Sequence, residues 1–128
     1  MSIIRANRTQ VTPEVILDMD KHQLAISGEC YPENPLPFFQ PIAARLQQYL
    51  AEHKPAQFDA HMHLQYVNSA STKGLQNIVA ILNEAGNAGT VVNVHWQHDP
   101  EDDALEELGQ DLVEDFQHIV LHKLAVAA

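Results

Sequence analysis

Residues 57–66 alternate between polar and apolar side chains without a break, and this pattern limits the possible folds more than any other stretch of the chain. A strand with this alternation has one buried face and one face in contact with water. Residues 92–97 repeat the alternation. Parallel strands covered by helices on both faces would be apolar throughout. We therefore predict a sheet with helices on one face and a polar, open second face. The predicted core face of the longer strand contains Phe58, Ala60, Met62, Leu64 and Tyr66.

Periodicity in the rest of the chain predicts five strands and three helices. The strands begin at about residues 15, 23, 57, 90 and 119, and the helices begin at about residues 38, 71 and 99. Residues 1–12 have no periodicity and are expected to form a loose or edge segment. Strands separated by helices pair in parallel, whereas the opening hairpin adds an antiparallel edge. The sequence thus predicts a single α/β domain over residues 1–128, with a mixed sheet of about five strands and about three helices on one face.

Composition excludes several classes of function. The chain has 7 basic and 17 acidic residues, a formal charge of −10, which repels nucleic acid and anionic lipid. No apolar run is long enough to span a membrane, and the first residues lack the apolar core of a signal peptide. The single cysteine, Cys30, excludes an internal disulfide and suits a reducing compartment. We expect a cytoplasmic domain with no nucleic-acid partner and no membrane insertion.

The acidic residues are concentrated near the predicted third helix. Nine of them fall between Asp99 and Asp115. Asp99 followed by Pro100 predicts the helix start, since a capping side chain and a first-turn proline both favour it. Such a patch could steer a basic protein partner, or it is a solvated helix face.

The junction from Tyr66 to Gly74, between a predicted strand and a predicted helix, is the candidate functional centre. Its small polar side chains can satisfy the N–H groups that a helix start leaves free. The same position presents a hydroxyl at the positive end of a helix, where a kinase can reach it and a phosphate is tolerated. A serine there also serves simply as a cap or turn residue. The candidate switch residue is Ser69, and the neighbouring polar residues are Asn68, Ser71 and Thr72.

Histidines suggest an enzymatic alternative. His61 and His63 point the same way from one strand, and His95 on a neighbouring strand could join them as three nitrogen ligands of a catalytic zinc ion. No His-Glu-x-x-His motif or cysteine pair supports a metal site, and the glycines form no phosphate-binding loop. Cys30 lacks the local motif of a catalytic nucleophile. We predict no cofactor, and a small metal-dependent hydrolase remains the competing hypothesis.

Five segments, in order along nearly the whole chain, carry a family resemblance. They are Thr12-Pro13; residues 26–34, reading Ile-Ser-Gly-Glu-Cys-Tyr-Pro-Glu-Asn; Phe38-Phe39; residues 66–73, reading Tyr-Val-Asn-Ser-Ala-Ser-Thr-Lys; and residues 94–99, reading Val-His-Trp-Gln-His-Asp. The chain resembles the SiaC family of bacterial regulatory phosphoproteins, which are similar in shape to the STAS class of anti-sigma factor antagonists. The Tyr-Pro-Glu-Asn and Asn-Ser-x-Ser-x-Lys elements are the more specific part of this resemblance.

The resemblance implies a non-catalytic switch protein. In the family, the hydroxyl residue after the asparagine is phosphorylated by a dedicated serine/threonine kinase, and a PPM-type phosphatase removes the phosphate. The unphosphorylated form binds and activates a diguanylate cyclase, which raises cyclic di-GMP and favours biofilm. The matching hydroxyl here is that of Ser69. A STAS-type antagonist acting on an anti-sigma factor is the other reading, and it differs only in the partner.

Two departures from the family pattern stand at Ala70, where a second hydroxyl is usual, and at Cys30, where a serine is usual. Because Ala70 has no hydroxyl, it narrows the choice of phosphate acceptor toward Ser69. The loop of residues 31–34 is either a rigid turn before the first helix or a binding surface beside Ser69. Lys73, one turn into the helix, either pairs with a phosphate on Ser69 or is solvated. The predicted partner-binding residues are Tyr31, Pro32, Glu33, Asn34, Asn68, Ser69, Ser71 and Lys73.

Overall fold

A computed structural model of the chain describes residues 3–126, which form six strands and three helices. The strands are β1 (Ile3–Ala6), β2 (Glu14–Asp18), β3 (Gln23–Cys30), β4 (Gln57–Val67), β5 (Val91–His98) and β6 (Val120–Ala125). The helices are α1 (Leu36–His53), α2 (Ser69–Asn87) and α3 (Asp103–Val113). None of these helices, within residues 3–126, is long and apolar enough to cross a membrane.

The strands lie in one sheet in the order in which they occur along the chain. β1, β2 and β3 pair antiparallel, and β3, β4, β5 and β6 pair in parallel. Each parallel connection contains one helix, as right-handed crossovers require. The predicted mixed α/β sheet is therefore confirmed.

One face of the sheet carries the core. The alternating side chains of β3, β4 and β5 that point to this face are almost fully buried, and those on the other face are partly exposed. Val94 packs in register beside Ala60, which lies beside Leu24, so the buried rows are continuous across the sheet. The helices cover this face, and the polar face stays open as predicted.

The sheet has one strand more than the five predicted. Residues 3–6 pair with β2 from Ile3 opposite Asp18 to Ala6 opposite Val15, and this short strand forms the sheet edge. Its Ile4 and Ala6 pack against the core and its odd-numbered residues are exposed. Four residues are too few for the alternation to be distinguished from an irregular segment, which is why the sequence pattern did not indicate it.

The third helix begins later than the sequence predicts. The Asp99 carboxylate accepts a hydrogen bond from the Glu101 N–H at 2.8 Å, so residues 99–102 form a turn. The capping residue is Asp102, whose carboxylate accepts from the Leu105 N–H at 3.0 Å. Asp99 and Asp102 can both cap a helix, and the second of them caps this one. The indole N–H of Trp96 donates to the Leu105 carbonyl at 2.9 Å and holds this helix on the sheet.

The prediction that Tyr66 belongs to the core is wrong. Gly28 pairs with Leu64 but Glu29 pairs with Tyr66, so Gln65 is an extra residue that has no partner on β3. One inserted residue moves every following side chain to the opposite face. The Tyr66 side chain is consequently 53% exposed.

Candidate functional site

Asn68 joins the end of β4 to the start of α2. Its backbone is extended, with φ −80° and ψ 164°, and its side-chain oxygen accepts a hydrogen bond from the Ser71 N–H at 3.0 Å. This is the capping interaction predicted from the sequence, and it satisfies one of the free N–H groups of the helix start. The helix consequently begins at Ser69, two residues earlier than the pattern predicts, and no acidic residue lies in its first turn.

The same asparagine holds the loop of residues 31–34. Its side-chain N–H donates to the Pro32 carbonyl at 3.3 Å, and its backbone N–H donates to the Cys30 carbonyl at 3.1 Å. From the other side, the Tyr31 N–H donates to the Val11 carbonyl at 2.8 Å. The loop and the start of α2 therefore form one fixed surface, as the binding-surface interpretation requires.

Two tyrosines stand on this surface. Tyr31 and Tyr66 meet edge to face, with ring centroids 5.5 Å apart, and both side chains are exposed. Tyr66 reaches this position because of the extra residue in β4. Exposed aromatic pairs of this kind supply contact area to a partner at low cost in side-chain entropy.

The two serines and the threonine of the junction lie in different environments. Ser69 is exposed at the first position of α2. Ser71 is fully buried, and Thr72 is half-buried with its hydroxyl donating to the Asn68 carbonyl at 3.4 Å. A kinase can therefore reach Ser69 without disturbing the helix, whereas Ser71 would have to leave the core.

The remaining predicted partner-binding residues divide in the same way. Glu33, Asn34 and Lys73 are exposed. Pro32 is buried, so it shapes the loop from beneath, and buried Ser71 cannot touch a docked protein. The exposed residues alone define the surface that we call the Ser69 surface: Tyr31, Glu33, Asn34, Tyr66, Ser69 and Lys73.

Cys30 lies beneath the start of α2. Burial raises the pKa of its thiol above the ordinary value, and the neighbouring Ser71 hydroxyl offsets only part of that rise. The thiolate is the nucleophilic form of cysteine, so this environment suppresses its reactivity. The arrangement is that of a small core residue.

The histidines form a row that differs from the predicted zinc site. His61, His95 and His122 lie side by side on β4, β5 and β6, with ring centroids 4.5 and 5.0 Å apart and ring planes within 14° of parallel. His63 lies opposite Gln97 and does not join them. We call His61, His95 and His122 the histidine ladder.

Hydrogen bonds fix the ladder in its stacked arrangement. His95 Nε2 lies 2.9 Å from Asp59 Oδ1, and His122 Nε2 lies 2.9 Å from Asn93 Oδ1. Ring nitrogens of stacked imidazoles point along parallel directions instead of toward one point. Within residues 3–126, no three His, Cys, Asp or Glu side chains are arranged to hold a metal ion.

The pKa values of His61, in the ladder, and of Asp59, which bonds to it, differ from their ordinary values. Burial lowers the pKa of the His61 imidazole, and neighbouring His95 adds to this effect while Asp59 opposes it. Burial tends to raise the pKa of the Asp59 carboxyl, but hydrogen bonds with His95 and Gln57 outweigh it, so that pKa is lowered. These shifts favour neutral His61 beside ionised Asp59 at neutral pH.

A groove of about 350 Å³ lies beside Ser69, between the first turns of α1 and α2. Its apolar lining includes Leu36, which is 62% exposed, and the edge of the Phe39 ring. Gly74 presses against that ring so closely that a Cβ atom there would overlap it. On the α2 side, the lining residues are Ala70, Lys73, Gly74 and Asn77.

Comparison with known proteins identifies the family. The model of the SiaC family of regulatory phosphoproteins matches residues 6–126. The chain belongs to the SiaC family. An uncharacterised protein of Pseudomonas aeruginosa strain UCBPP-PA14 is 30% identical over 116 residues, which cover 90% of each chain.

Solved structures of SiaC from Pseudomonas aeruginosa have the same fold. The crystal structure of apo-SiaC superposes with a TM-score of 0.89 at 28% identity, covering 98% of this chain and 100% of that one. In a second structure, SiaC is bound to the diguanylate cyclase SiaD, which it activates. That SiaC superposes with a TM-score of 0.85 at 25% identity, covering 94% of this chain and 99% of the other.

Sequence reasoning missed two parts of the site. Leu36 stands between two prolines, and an apolar residue in such a polar, turn-rich stretch was the available signal. Gly74 inside a helical pattern indicates a close approach of another element, here the Phe39 ring. Neither Leu36 nor Gly74 indicates what the groove between them binds.

Proposed function

We propose that this protein is a non-catalytic, phosphorylation-controlled regulator that binds and activates a diguanylate cyclase when Ser69 is unphosphorylated. A serine/threonine kinase adds phosphate to the Ser69 hydroxyl, and a PPM-type phosphatase removes it. Activation of the cyclase raises cyclic di-GMP, the signal associated with biofilm. The proposal assigns the protein to the cytoplasm, because the kinase and the cyclase use ATP and GTP there.

The observation that carries this proposal is the position of Ser69. It is the exposed serine hydroxyl of the junction, it occupies the first turn of a 19-residue helix, and that first turn contains no acidic residue to offset the positive end of the helix. A phosphate there is stabilised by the helix dipole and leaves the core unchanged. Membership of a family of regulatory phosphoproteins supports the same role.

The phosphate would act on binding through charge. Phosphorylation adds about −1.5 to −2 charges at neutral pH. Asn68, next to Ser69, bonds to the loop of residues 31–34, and Tyr31 of that loop meets Tyr66, so the added charge would stand within any interface formed on the Ser69 surface. Burying the phosphate charge against a partner costs desolvation energy, and contacts with the partner do not compensate for that cost. The complex with SiaD supports a cyclase as the partner.

The test measures cyclic di-GMP formation by the diguanylate cyclase from the same genome. Ser69→Ala is expected to activate the cyclase as the unphosphorylated protein does, and Ser69→Asp is expected to activate it less. Aspartate carries less charge than phosphate, so the loss will be smaller than with true phosphorylation. Gln110→Glu, on the exposed side of α3, is the control for added negative charge.

Equal activation by the Ala and Asp variants would contradict the switch. Activation by neither variant, with capture of an anti-sigma factor instead, would keep the switch and replace the partner with that of a STAS-type antagonist.

A further inference from the structure

The groove between α1 and α2 differs in charge from the rest of the molecule. The chain carries a formal charge of −10, yet no Asp or Glu is among the groove's lining residues in the described part of the chain. Its single charged lining residue is Lys73. Within residues 3–126, the ion pairs are His95–Asp59 and Lys123–Glu106, and neither involves Lys73.

The floor of the groove suits an apolar side chain. Leu36 and Ala70 are exposed, and the Phe39 ring, which also lines the groove, lies against Gly74. A leucine that stays 62% exposed gains stability only when something covers it. An apolar pit with one cation at its rim is complementary to an apolar side chain that has a carboxylate beside it.

We propose that this groove receives an apolar side chain of the partner cyclase, with a partner carboxylate beside it pairing with the Lys73 ammonium. Lys73 lies four residues after Ser69, which places the two side chains next to each other on α2. A phosphate on Ser69 therefore competes for the same ammonium. The inference rests on the proposed function and names the chemistry that the partner presents.

This arrangement explains how one phosphate acts on the partner in two ways. In the unphosphorylated state Lys73 is free for the partner carboxylate. In the phosphorylated state Lys73 pairs with the phosphate, and the same phosphate repels the partner carboxylate. This competition requires no change in fold, because the Asn68 cap fixes the helix start and Gly74 packs on the Phe39 ring, so that only the partner of the Lys73 ammonium changes.

The first experiment measures the affinity of the same-genome diguanylate cyclase for the unphosphorylated protein by titration calorimetry. Leu36→Ala is expected to weaken binding about tenfold, through lost apolar contact. Lys73→Glu is expected to weaken it by about tenfold as well, because attraction becomes repulsion. The matched controls are Leu124→Ala, whose side chain is 57% exposed on β6, and Lys21→Glu in the β2–β3 turn. Both controls should bind within about twofold of the natural chain.

The second experiment tests the shared lysine without the partner. The phosphorus NMR titration of protein phosphorylated on Ser69 should give a lower second phosphate pKa than the same protein carrying Lys73→Ala, because a nearby ammonium favours the dianion. Lys21→Ala should leave that titration unchanged.

The outcomes separate the two proposals. If the cyclase discriminates Ser69→Ala from Ser69→Asp but binds the groove variants as it binds their controls, the groove proposal is overturned and the switch stands. Equal phosphate titrations with and without Lys73 overturn the competition for this lysine. If neither Ser69 form binds a cyclase, both proposals are overturned.

Discussion

The Ser69 surface and the histidine ladder are two clusters that meet β4 at different points, and they illustrate different consequences of sequence. The Ser69 surface stands where β4 ends, and its backbone N–H groups are directed by a helix start. The ladder crosses the middle of β4, β5 and β6, where side chains alternate regularly and stack on one another. The ladder holds more reactive residue types, yet its nitrogens share no common point. The Ser69 surface has few reactive groups, but it presents one accessible serine hydroxyl.

The difference shows that residue type without geometry does not define a site. In the ladder, the imidazole rings stack on one another, and the rings of His95 and His122 form hydrogen bonds with neighbouring side chains. The ladder is therefore a stable surface. At the junction, by contrast, exposed side chains stand on a backbone that the hydrogen bonds of Asn68 hold in place. Variants that affect one cluster and leave the other unchanged test this comparison.

The largest expected effect concerns which hydroxyl accepts phosphate. Incubation with the cognate kinase should add one phosphate to the natural chain and none to Ser69→Ala, because Ser71 is buried and Thr72 is engaged with the Asn68 carbonyl. Intact mass followed by peptide mapping measures this. Ser71→Ala and Thr72→Ala are the controls and should still accept phosphate. Phosphate on residue 71 or 72 of the Ser69→Ala protein would show that the helix start opens to the kinase.

The second effect concerns the exposed tyrosines. Tyr66→Ala should weaken cyclase binding about tenfold, because tyrosines at the centre of interfaces frequently contribute more than 1 kcal/mol. Unfolding temperature should change little, since the side chain is exposed in the free protein. Val120→Ala, on the exposed edge strand β6, is the control. An unchanged cyclase affinity would remove the tyrosine pair from the interface.

These first two expectations show how far the sequence alone can lead. The alternation of residues 57–66 predicted a sheet with helices on one face, and the run from Asn68 to Thr72 predicted the capped helix start. The exposed Tyr66 could not be predicted, because strict alternation continues through it and the extra residue is visible only in the pairing with β3. The face to which a side chain points depends on how its strand pairs with the neighbouring strand, as well as on the sequence of its own strand.

The histidine ladder was predicted only in part, because the pairing between strands is not visible in the sequence. Alternation placed His61 and His63 on one face, but pairing decides which histidine meets which. Register puts His61 opposite His95 and His95 opposite His122, and leaves His63 beside Gln97. The groove was missed entirely, since it needs the relative position of two helices that are far apart in sequence.

The third effect compares two asparagines. Asn68→Ala should lower the free energy of unfolding by about 1–2 kcal/mol, because the helix loses its cap and the loop loses its bond at the Pro32 carbonyl. Asn93→Ala removes the hydrogen bond to His122 from the exposed ladder and should cost about 0.5 kcal/mol or less. Denaturant unfolding measures both. Equal costs would mean that the junction is no more tightly held than the open face.

The smallest effect is the pH dependence that His61 gives to stability. The pKa of His61 is lowered in the folded state, so the unfolded chain binds its proton more readily and stability falls as pH drops below about 6.5. The lowered pKa of Asp59 acts in the same direction at more acidic pH. His61→Gln should flatten the unfolding temperature between pH 7 and about pH 5.5. A profile identical to that of the natural chain would show that His61 titrates alike in both states.

The central claim is that a phosphate on Ser69 releases the cyclase, and one titration tests it most directly. The same-genome diguanylate cyclase is titrated with protein phosphorylated on Ser69 and with the same preparation after phosphatase treatment. The account predicts binding about 30-fold weaker or more for the phosphorylated form, because a desolvated like-charge contact costs at least about 2 kcal/mol. Equal affinities, or tighter binding of the phosphorylated form, would contradict it.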